Sequence, residues 1–165
     1  MLSIREHRFP FLVKVNNWNR FSKNSGGTLV EKCCHFFDLM RFITKSEVKS
    51  VFATGNQDNN HLDESYDGKT PDIIDNAFVV LDFDNGVRGS LDLCMFAENS
   101  KVQEEICAVG HKGKIETGVP SDASGQHSSE LSIRLREKNE TFSETVEVDH
   151  KILKAGSHHG STFYE

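Results

Sequence analysis

The sequence is short of paired cysteine motifs, of long apolar runs and of excess positive charge, and each shortage excludes a class of protein. Its four cysteines show no CxxC spacing, which argues against structural zinc and suits free thiols in a reducing cytoplasm. No apolar run approaches the ~20 residues of a membrane span. The formal net charge of −6 disfavours nucleic acid and anionic membranes as partners. The opening residues are too charged for a secretory signal, so we expect a cytoplasmic protein.

The apolar content is sufficient for one folded domain. Hydrophobic residues make up 36% of the 165 residues, and twelve of them are phenylalanine. A chain of this length commonly forms a single domain. We therefore predict one domain over residues 1–165.

The strongest local pattern is a helix from about Gly26 to Ile43. Ser25 is suited to cap its N-terminus. At Gly26 and Gly27 no side chain blocks the backbone N–H groups, which attract anions and carbonyl oxygens. We predict that most sides of the helix are buried, through an apolar stripe at helical spacing. That stripe comprises Leu29, Cys33, Phe36, Met40 and Ile43, widened by Val30, Cys34 and Phe37.

Three titratable residues of this helix, Glu31, His35 and Asp38, are spaced i, i+4 and i+7 and share one face. Histidine titrates near neutral pH, and a carboxylate one turn away orients its ring, which suits acid–base catalysis. The same residues are consistent with a core histidine paired to Glu31 or Asp38. A metal held by the three is disfavoured, because no soft ligand or third shell is evident, and we expect none.

The remainder of the chain alternates between apolar and polar residues, as β-strands do. The pattern predicts strands at 9–15, 48–55, 75–83, 87–96, 101–109, 114–117, 131–136 and 141–148. Asn85-Gly86 joins two of them and is a strong hairpin signal. Residues 56–72 are acidic and polar, without a packing stripe, and this composition predicts a loop. We predict an α+β fold with an open, mostly antiparallel (mixed) sheet and helices on one face.

A polar, turn-rich stretch precedes the helix and is the candidate ligand-binding loop. Lys14, Trp18, Asn19 and Arg20 are able to line a polar ligand pocket, with the indole stacked on a ring of the ligand. A solvated loop with one buried indole fits the residues equally well. Near the end of the chain, His159 is able to reach the same cleft, although a flexible tail also fits.

Residues 26–38 resemble the second-domain helix of the Gfo/Idh/MocA family, named after glucose–fructose oxidoreductase and inositol dehydrogenase. The shared pattern is a glycine pair, an acidic residue, three residues, a histidine, two residues and an aspartate, here Gly26, Gly27, Glu31, His35 and Asp38. Residues 8–15 and 18–20 are similar to the strand and loop before that helix. Residues 76–92 resemble the central hairpin of the family, and 110–115 its following turn.

This resemblance implies that the chain is the second of two domains. In the family a Rossmann domain comes first, with a catalytic lysine in a Glu-Lys-Pro motif. The 165 residues hold no G-x-G-x-x-G after a strand, and Glu31-Lys32 is followed by Cys33. We therefore expect NAD or NADP to bind the full-length protein and not this chain alone.

The resemblance also implies roles for individual residues. His35 transfers a proton to and from the substrate hydroxyl, Glu31 stands where the family often has aspartate, and Asp38 anchors the ring. The sheet is expected to form a homo-oligomer. A non-catalytic dimerisation or binding module that kept the fold is the alternative. The residues expected to bind the sugar or polyol are Lys14, Trp18, Asn19, Arg20, Gly26, Gly27 and His159.

Overall fold

The computed structural model describes residues 1–9, 14–98, 100, 102–120, 130–135 and 140–145. None of the helices in these residues is long and apolar enough to cross a membrane. The strands are β1 (Leu2–His7), β2 (Val48–Asn56), β3 (Asn76–Phe83), β4 (Arg88–Cys94), β5 (Val102–Val109), β6 (Gly113–Pro120), β7 (Glu130–Leu135) and β8 (Glu140–Thr145). The helices are a 3-10 helix (Val15–Arg20), α1 (Ser22–Ser25), α2 (Thr28–Glu31) and α3 (Cys34–Thr44).

The strands form one mixed sheet in the order β2-β3-β4-β1-β5-β6-β7-β8. Only β1 and β4 pair in parallel among the described neighbours. The β3–β4 hairpin closes at Gly86, whose φ of 82° is the left-handed conformation that glycine adopts without strain. The open mixed sheet confirms the predicted α+β fold. Where the structure describes them, the strands predicted from residue 48 onward are also confirmed, with small differences at their ends. Residues 101, 136 and 146–148 of the predicted strands lie outside the described residues.

The first strand lies earlier in the chain than predicted. At the described ends of the predicted strand 9–15, Phe9 lies in a bend and Val15 begins the 3-10 helix, so that prediction is wrong there. Residues 10–13 lie outside the described residues. The strand is instead β1, in which Leu2, Ile4 and Glu6 alternate inward. Because β1 lies between β4 and β5, it places a carboxylate at a core-facing position.

The predicted continuous helix from Gly26 to Ile43 is broken into two. Helix α2 ends at Glu31, and α3 begins after a turn, where the Cys33 carbonyl accepts hydrogen bonds from the N–H groups of Phe36 (3.0 Å) and Phe37 (3.2 Å). The break lets Lys32 reach Glu6 on β1 (3.0 Å between Nζ and Oε1), while the next residue, Cys33, remains fully buried.

The apolar stripe of this region is narrower than predicted. Cys33, Phe36 and Met40 are buried against the sheet, as expected. Val30 and Ile43 are exposed, however, so the prediction that most sides are buried is wrong. The helices therefore cover the sheet through a single stripe and leave their other faces open.

The two faces of the sheet have different environments. One face packs under α3 and forms the core, whereas Phe78 and Val80 point from the other face and are 61% and 44% exposed. Phe52 on β2 pairs with Val80 and is exposed with it. This division confirms that a single helix layer does not cover all the apolar residues of the hairpin. The covered strand residues are Leu2, Ile4, Ala77, Val79, Leu81, Phe83, Leu91 and Leu93, and Met95 joins them directly after β4.

The acidic stretch between β2 and β3 is packed more closely than its sequence suggests. Asn60 is 7% exposed, and its Nδ2 donates to the Met95 carbonyl (2.8 Å). Ile73 is 3% exposed and joins the core. The structure confirms the predicted loop, and the buried Asn60 amide, together with Ile73 just after the predicted range, ties this loop to the sheet.

Asp75 anchors this loop at the start of β3. Its carboxylate is buried and accepts hydrogen bonds from the N–H groups of Asp58 (3.1 Å), Asn59 (2.8 Å) and Asn60 (2.7 Å), and from Asn76 Nδ2 (2.9 Å). Burial alone raises the pKa of Asp75, but these backbone donors outweigh it and lower the pKa below its usual value.

We expect Asp75→Asn to destabilise the chain by about 2 kcal/mol at neutral pH, because neutral amide acceptors bind these N–H groups more weakly. The folded pKa of Asp75 is lowered, so its contribution is present above the ordinary value of 3.8 and is lost as pH falls through the folded pKa. Urea unfolding at neutral and acid pH should show the deficit shrinking in acid. Asp63→Asn, an exposed change in the same loop, is the control, and an equal loss in it would contradict this role.

Candidate functional site

The candidate site begins where α1 meets α2, at the glycine pair. Gly26 and Gly27 have φ values of 78° and 85°, which side-chain-bearing residues rarely adopt. A Cβ on Gly26 would lie 3.0 Å from the Val30 side chain. Ser25 ends α1 and Gly27 takes the cap position of α2, so the predicted Ser25 cap is wrong.

The N–H groups of the glycine pair are already hydrogen-bonded within the chain. The Gly26 N–H donates to the Ser22 carbonyl (2.7 Å), and the Gly27 N–H donates to Ser25 Oγ (3.1 Å). The expectation that these groups stand open to a ligand is therefore wrong. The structural role of the two glycines is to let the chain turn between α1 and α2. Helix α2 then begins beside Ile74, and the Ile74 carbonyl accepts a hydrogen bond from Thr28 Oγ1.

Two of the predicted site residues meet at the end of α2. Glu31 is 17% exposed at its side chain, and its Oε1 lies 3.8 Å from Lys14 Nζ. Lys14 is 47% exposed and follows the undescribed residues 10–13. A half-exposed ammonium beside a mostly buried carboxylate forms a polar site that a hydroxyl group can enter.

The next residue, Lys32, belongs to a buried ion cluster beneath the site. Glu6 is fully buried, with its Oε1 3.0 Å from Lys32 Nζ and 3.1 Å from Arg8 Nε. Arg8 Nη2 also approaches Glu104 (3.5 Å) and Gln103 (3.1 Å). Burial is the main influence on Glu6 and raises the pKa of its carboxyl, although both cations oppose the shift.

Cys33 follows Lys32 in the chain and is fully buried in the core. Burial raises the pKa of its thiol to about 12, and the Glu6 carboxylate adds to the shift. A thiol in this state does not act as a nucleophile near neutral pH. Cys33 therefore serves packing.

His35 lies in the first turn of α3, four residues after Glu31 and on the far side of the helix break. It is half-buried, and its ring lies 4.3 Å from the Phe36 ring, tilted by 52°. Partial exposure keeps the ring accessible to a ligand, while the aromatic contact restricts its orientation. This environment is compatible with proton transfer, which stays a prediction.

Asp38 lies at the protein surface, where it pairs with Arg41. Its side chain is 72% exposed, and its Oδ1 accepts from Arg41 Nη1 (3.0 Å). Arg41 also binds Glu47 through two nitrogens, at 2.8 and 2.5 Å. Asp38 thus belongs to a surface ion network at the end of α3, and its role toward His35 stays a prediction.

The predicted binding loop folds as the 3-10 helix Val15–Arg20, here called the Trp18 segment. Asn16 and Asn17 have φ values of 53° and 54°, and asparagine tolerates this left-handed region better than most residues. The Lys14 N–H donates to Asn19 Oδ1 (3.2 Å), which closes the segment. Asn19 is buried, whereas Trp18 is 38% exposed, so the segment presents the indole to solvent.

Glu64, which the sequence analysis does not identify, binds Arg20 at the C-terminal end of the Trp18 segment. Arg20 is 2% exposed, and its Nε donates to Glu64 Oε2 (3.2 Å). Glu64 also pairs with His61 Nδ1 (2.8 Å) and accepts from the Tyr66 hydroxyl (2.7 Å). We call Arg20, His61, Glu64 and Tyr66 the Glu64 cluster. It brings the acidic loop against the Trp18 segment.

Glu6 and the Glu64 cluster are not identified in the sequence analysis, and they differ in the sequence pattern that could have revealed them. Glu6 occupies an inward position of an alternating strand, and a charge there indicates a buried partner. The Glu64 cluster joins residues 20 and 64, and no local pattern reports a contact at that separation. His159 lies outside the described residues. Within the described residues, no group of three histidine, cysteine, aspartate or glutamate side chains is arranged to hold a metal.

Comparison with known proteins gives one consistent result. Residues 1–162 match the model described as "Oxidoreductase family, C-terminal alpha/beta domain" (GFO_IDH_MocA_C). Over 140 residues the chain is 32% identical to a myo-inositol 2-dehydrogenase of Thermotoga maritima, covering 80% of this chain and 40% of the relative. The chain thus spans less than half the length of that relative.

Solved structures share the fold at lower identity. An aldose-aldose oxidoreductase from Caulobacter crescentus, complexed with glycerol, superposes with a TM-score of 0.62 at 14% identity, over 87% of this chain and 38% of that one. The WlbA dehydrogenase from Bordetella pertussis, in complex with NADH and UDP-GlcNAcA, superposes with a TM-score of 0.54 at 17% identity, over 71% and 34%.

Proposed function

The chain belongs to the Gfo/Idh/MocA oxidoreductase family as its C-terminal alpha/beta domain, and we propose that it binds substrate and supports assembly in an NAD(P)-dependent oxidoreductase. The substrate is a sugar, a polyol or a related hydroxy compound. The observation that carries the proposal is the Lys14–Glu31 pair, with 3.8 Å between Nζ and Oε1, because Glu31 lies four residues before the half-buried His35. The similarity to a myo-inositol 2-dehydrogenase supports the substrate class.

In this proposal each residue has a separate task. His35 takes the proton of the substrate hydroxyl during oxidation and returns it during reduction. Glu31 and Lys14 bind that hydroxyl by hydrogen bonds, since the carboxylate is an acceptor and the ammonium is a donor. Trp18 offers an apolar face to a sugar ring.

NAD or NADP is proposed for the full-length protein, in which it exchanges hydride with the substrate carbon. Among the described residues, the glycines at the site use their N–H groups internally and form no phosphate cradle. A separate nucleotide-binding domain would therefore hold the dinucleotide. Cytoplasmic localisation is also proposed, on the basis of the free cysteines.

The open face of the sheet supports assembly. Phe52, Phe78 and Val80 form an exposed apolar group there, and such groups commonly mark interfaces. We propose a homo-oligomer through this face. Light scattering at tens of micromolar chain measures it, and a monomer throughout would contradict the proposal.

Full-length protein, tested with inositols, aldoses and sugar nucleotides in the presence of NAD⁺ or NADP⁺, provides the test of function. We expect reduction of the nicotinamide with at least one hydroxy compound, and loss of that activity in Lys14→Met or Glu31→Gln. Absence of turnover across the panel, in protein that binds the dinucleotide, would favour the non-catalytic binding module instead.

A further inference from the structure

The Trp18 segment depends on anchors outside itself. Asn16 and Asn17 have left-handed backbone angles. Such angles cost free energy and persist only where the surrounding structure enforces them. Asn19 closes one end through the Lys14 N–H. At the other end Arg20 extends its guanidinium inward, where a buried cation requires an acceptor of opposite charge.

Glu64 is the acceptor that connects this end to the acidic loop. Its Oε2 receives Arg20 Nε (3.2 Å) and the Tyr66 hydroxyl (2.7 Å), while its Oε1 lies 2.8 Å from His61 Nδ1. Burial pushes the pKa of Glu64 upward, but hydrogen bonds from His61 and Tyr66 and the charge of Arg20 lower it overall. The carboxylate is therefore ionised near neutral pH.

The loop that carries Glu64 is itself fixed on both sides. Asp72 accepts from the Ser22 N–H (2.6 Å) and hydroxyl (2.9 Å), and its own N–H donates to the Arg20 carbonyl (3.2 Å). At the start of the loop, Asn60 is buried against Asp75 and Met95. Glu64 therefore belongs to a loop that is hydrogen-bonded to the sheet region at one end and to Arg20 and Ser22 at the other.

We propose that Glu64 is a positioning residue, which holds the Trp18 segment through Arg20 in the conformation that presents the indole to the substrate. The role in substrate binding rests on the proposed function, whereas the role in ordering the segment does not. In this role Glu64 acts indirectly and does not contact the substrate. Its effect passes through Arg20 to Trp18, which lies two residues earlier in the chain.

Trp18 provides a direct measurement, because it is the single tryptophan of the 165-residue chain. We expect Glu64→Gln to raise acrylamide quenching of its fluorescence by up to about twofold, because the indole is 38% exposed in the anchored segment and more exposed in a released one. Asp63→Asn is the matched control, since it removes one negative charge from the neighbouring, exposed position.

Tyr66→Phe gives a milder second variant, which removes one donor to Glu64 and leaves the Arg20 contact in place. We expect its quenching to fall between those of wild type and Glu64→Gln. Circular dichroism establishes that each variant is folded. Quenching equal to wild type in folded Glu64→Gln would overturn the proposal, and if that variant does not fold, wild-type quenching in Tyr66→Phe would do so.

The full-length enzyme tests the link to substrate. Glu64→Gln should raise KM for the hydroxy compound roughly tenfold with little change in kcat, because a displaced binding platform weakens ground-state and transition-state binding together. Equal KM values in Glu64→Gln and Asp63→Asn would overturn the link. If wild type turns over no hydroxy compound, the proposed function fails, and the fluorescence experiment still decides the role of Glu64.

Discussion

Replacing Lys32 by methionine should destabilise this domain by about 3 kcal/mol, because removing one cation from a buried ion cluster leaves the carboxylate incompletely compensated. Glu6 is fully buried, and Lys32 Nζ lies 3.0 Å from its Oε1. In the variant Arg8 Nε, 3.1 Å from the same oxygen, still offsets part of the charge. Urea unfolding of the 165-residue chain measures the loss.

The loss should depend on pH in a direction that identifies Glu6. Burial raises the folded pKa of Glu6 above the ordinary 4.5. A carboxyl with a raised folded pKa contributes stability below its unfolded pKa and loses it as pH rises through the folded value. Removing Lys32 raises that pKa further, so the deficit of Lys32→Met should be larger at neutral pH than near about pH 5.

Two variants act as controls for this prediction. Lys23→Met removes an exposed lysine from α1 and should change stability by less than about 0.5 kcal/mol. Glu6→Gln combined with Lys32→Met should recover part of the loss, because the buried charge is removed together with its partner. A deficit in Lys32→Met no greater than in Lys23→Met would show that the ion pair has no stabilising role.

The break between α2 and α3 shows a limit of the prediction from sequence. The spacing identified the residues of the helix motif, but it did not predict that the helix is interrupted. Glu31, His35 and Asp38 have helical spacing, and helical spacing alone predicts one continuous helix. The break after Glu31 accompanies a contact between Lys32 and Glu6 on β1, more than twenty residues earlier in the chain. A periodicity argument compares only neighbouring residues and does not include such a contact.

The hairpin shows the opposite case, in which local information was sufficient. Asn85-Gly86 and the flanking alternation indicate both the turn and which side chains share a face, and in the structure Val79 pairs with Leu91 and Leu81 with Gly89. A one-residue shift would expose the whole buried set. Register is therefore determined by residues close together in sequence.

The candidate site was only partly predictable for a related reason. Lys14 and Glu31 meet as the predicted site requires, and Trp18 is presented at the surface. Glu64 was not predicted, because an acidic, glycine-containing stretch has the composition of a solvated loop. Its order comes from Arg20 and Asp75, and neither contact leaves a periodic signal.

Replacing His35 by asparagine should lower the turnover of the full-length enzyme by about a hundredfold or more, the usual scale for a lost acid–base group. The same change should cost only about 1 kcal/mol of stability, because asparagine keeps one hydrogen-bonding group at a half-buried position. The small stability cost and the large kinetic cost together distinguish a catalytic histidine from one that serves packing. Thermal melts of the chain and steady-state kinetics of the full-length enzyme measure the two effects.

His111→Asn is the matched control, since His111 is an exposed histidine in the β5–β6 turn and its loss should affect neither measurement. If His35 is a core residue, its replacement should instead cost about 2–3 kcal/mol, because a buried partner is left without its hydrogen bond. A melting temperature lowered by many degrees, with turnover close to that of His111→Asn, would show that His35 supports packing and that proton transfer belongs to another group. A small shift in melting with a hundredfold loss of turnover would assign the acid–base role to His35, because the fold would then be intact and only the chemistry impaired.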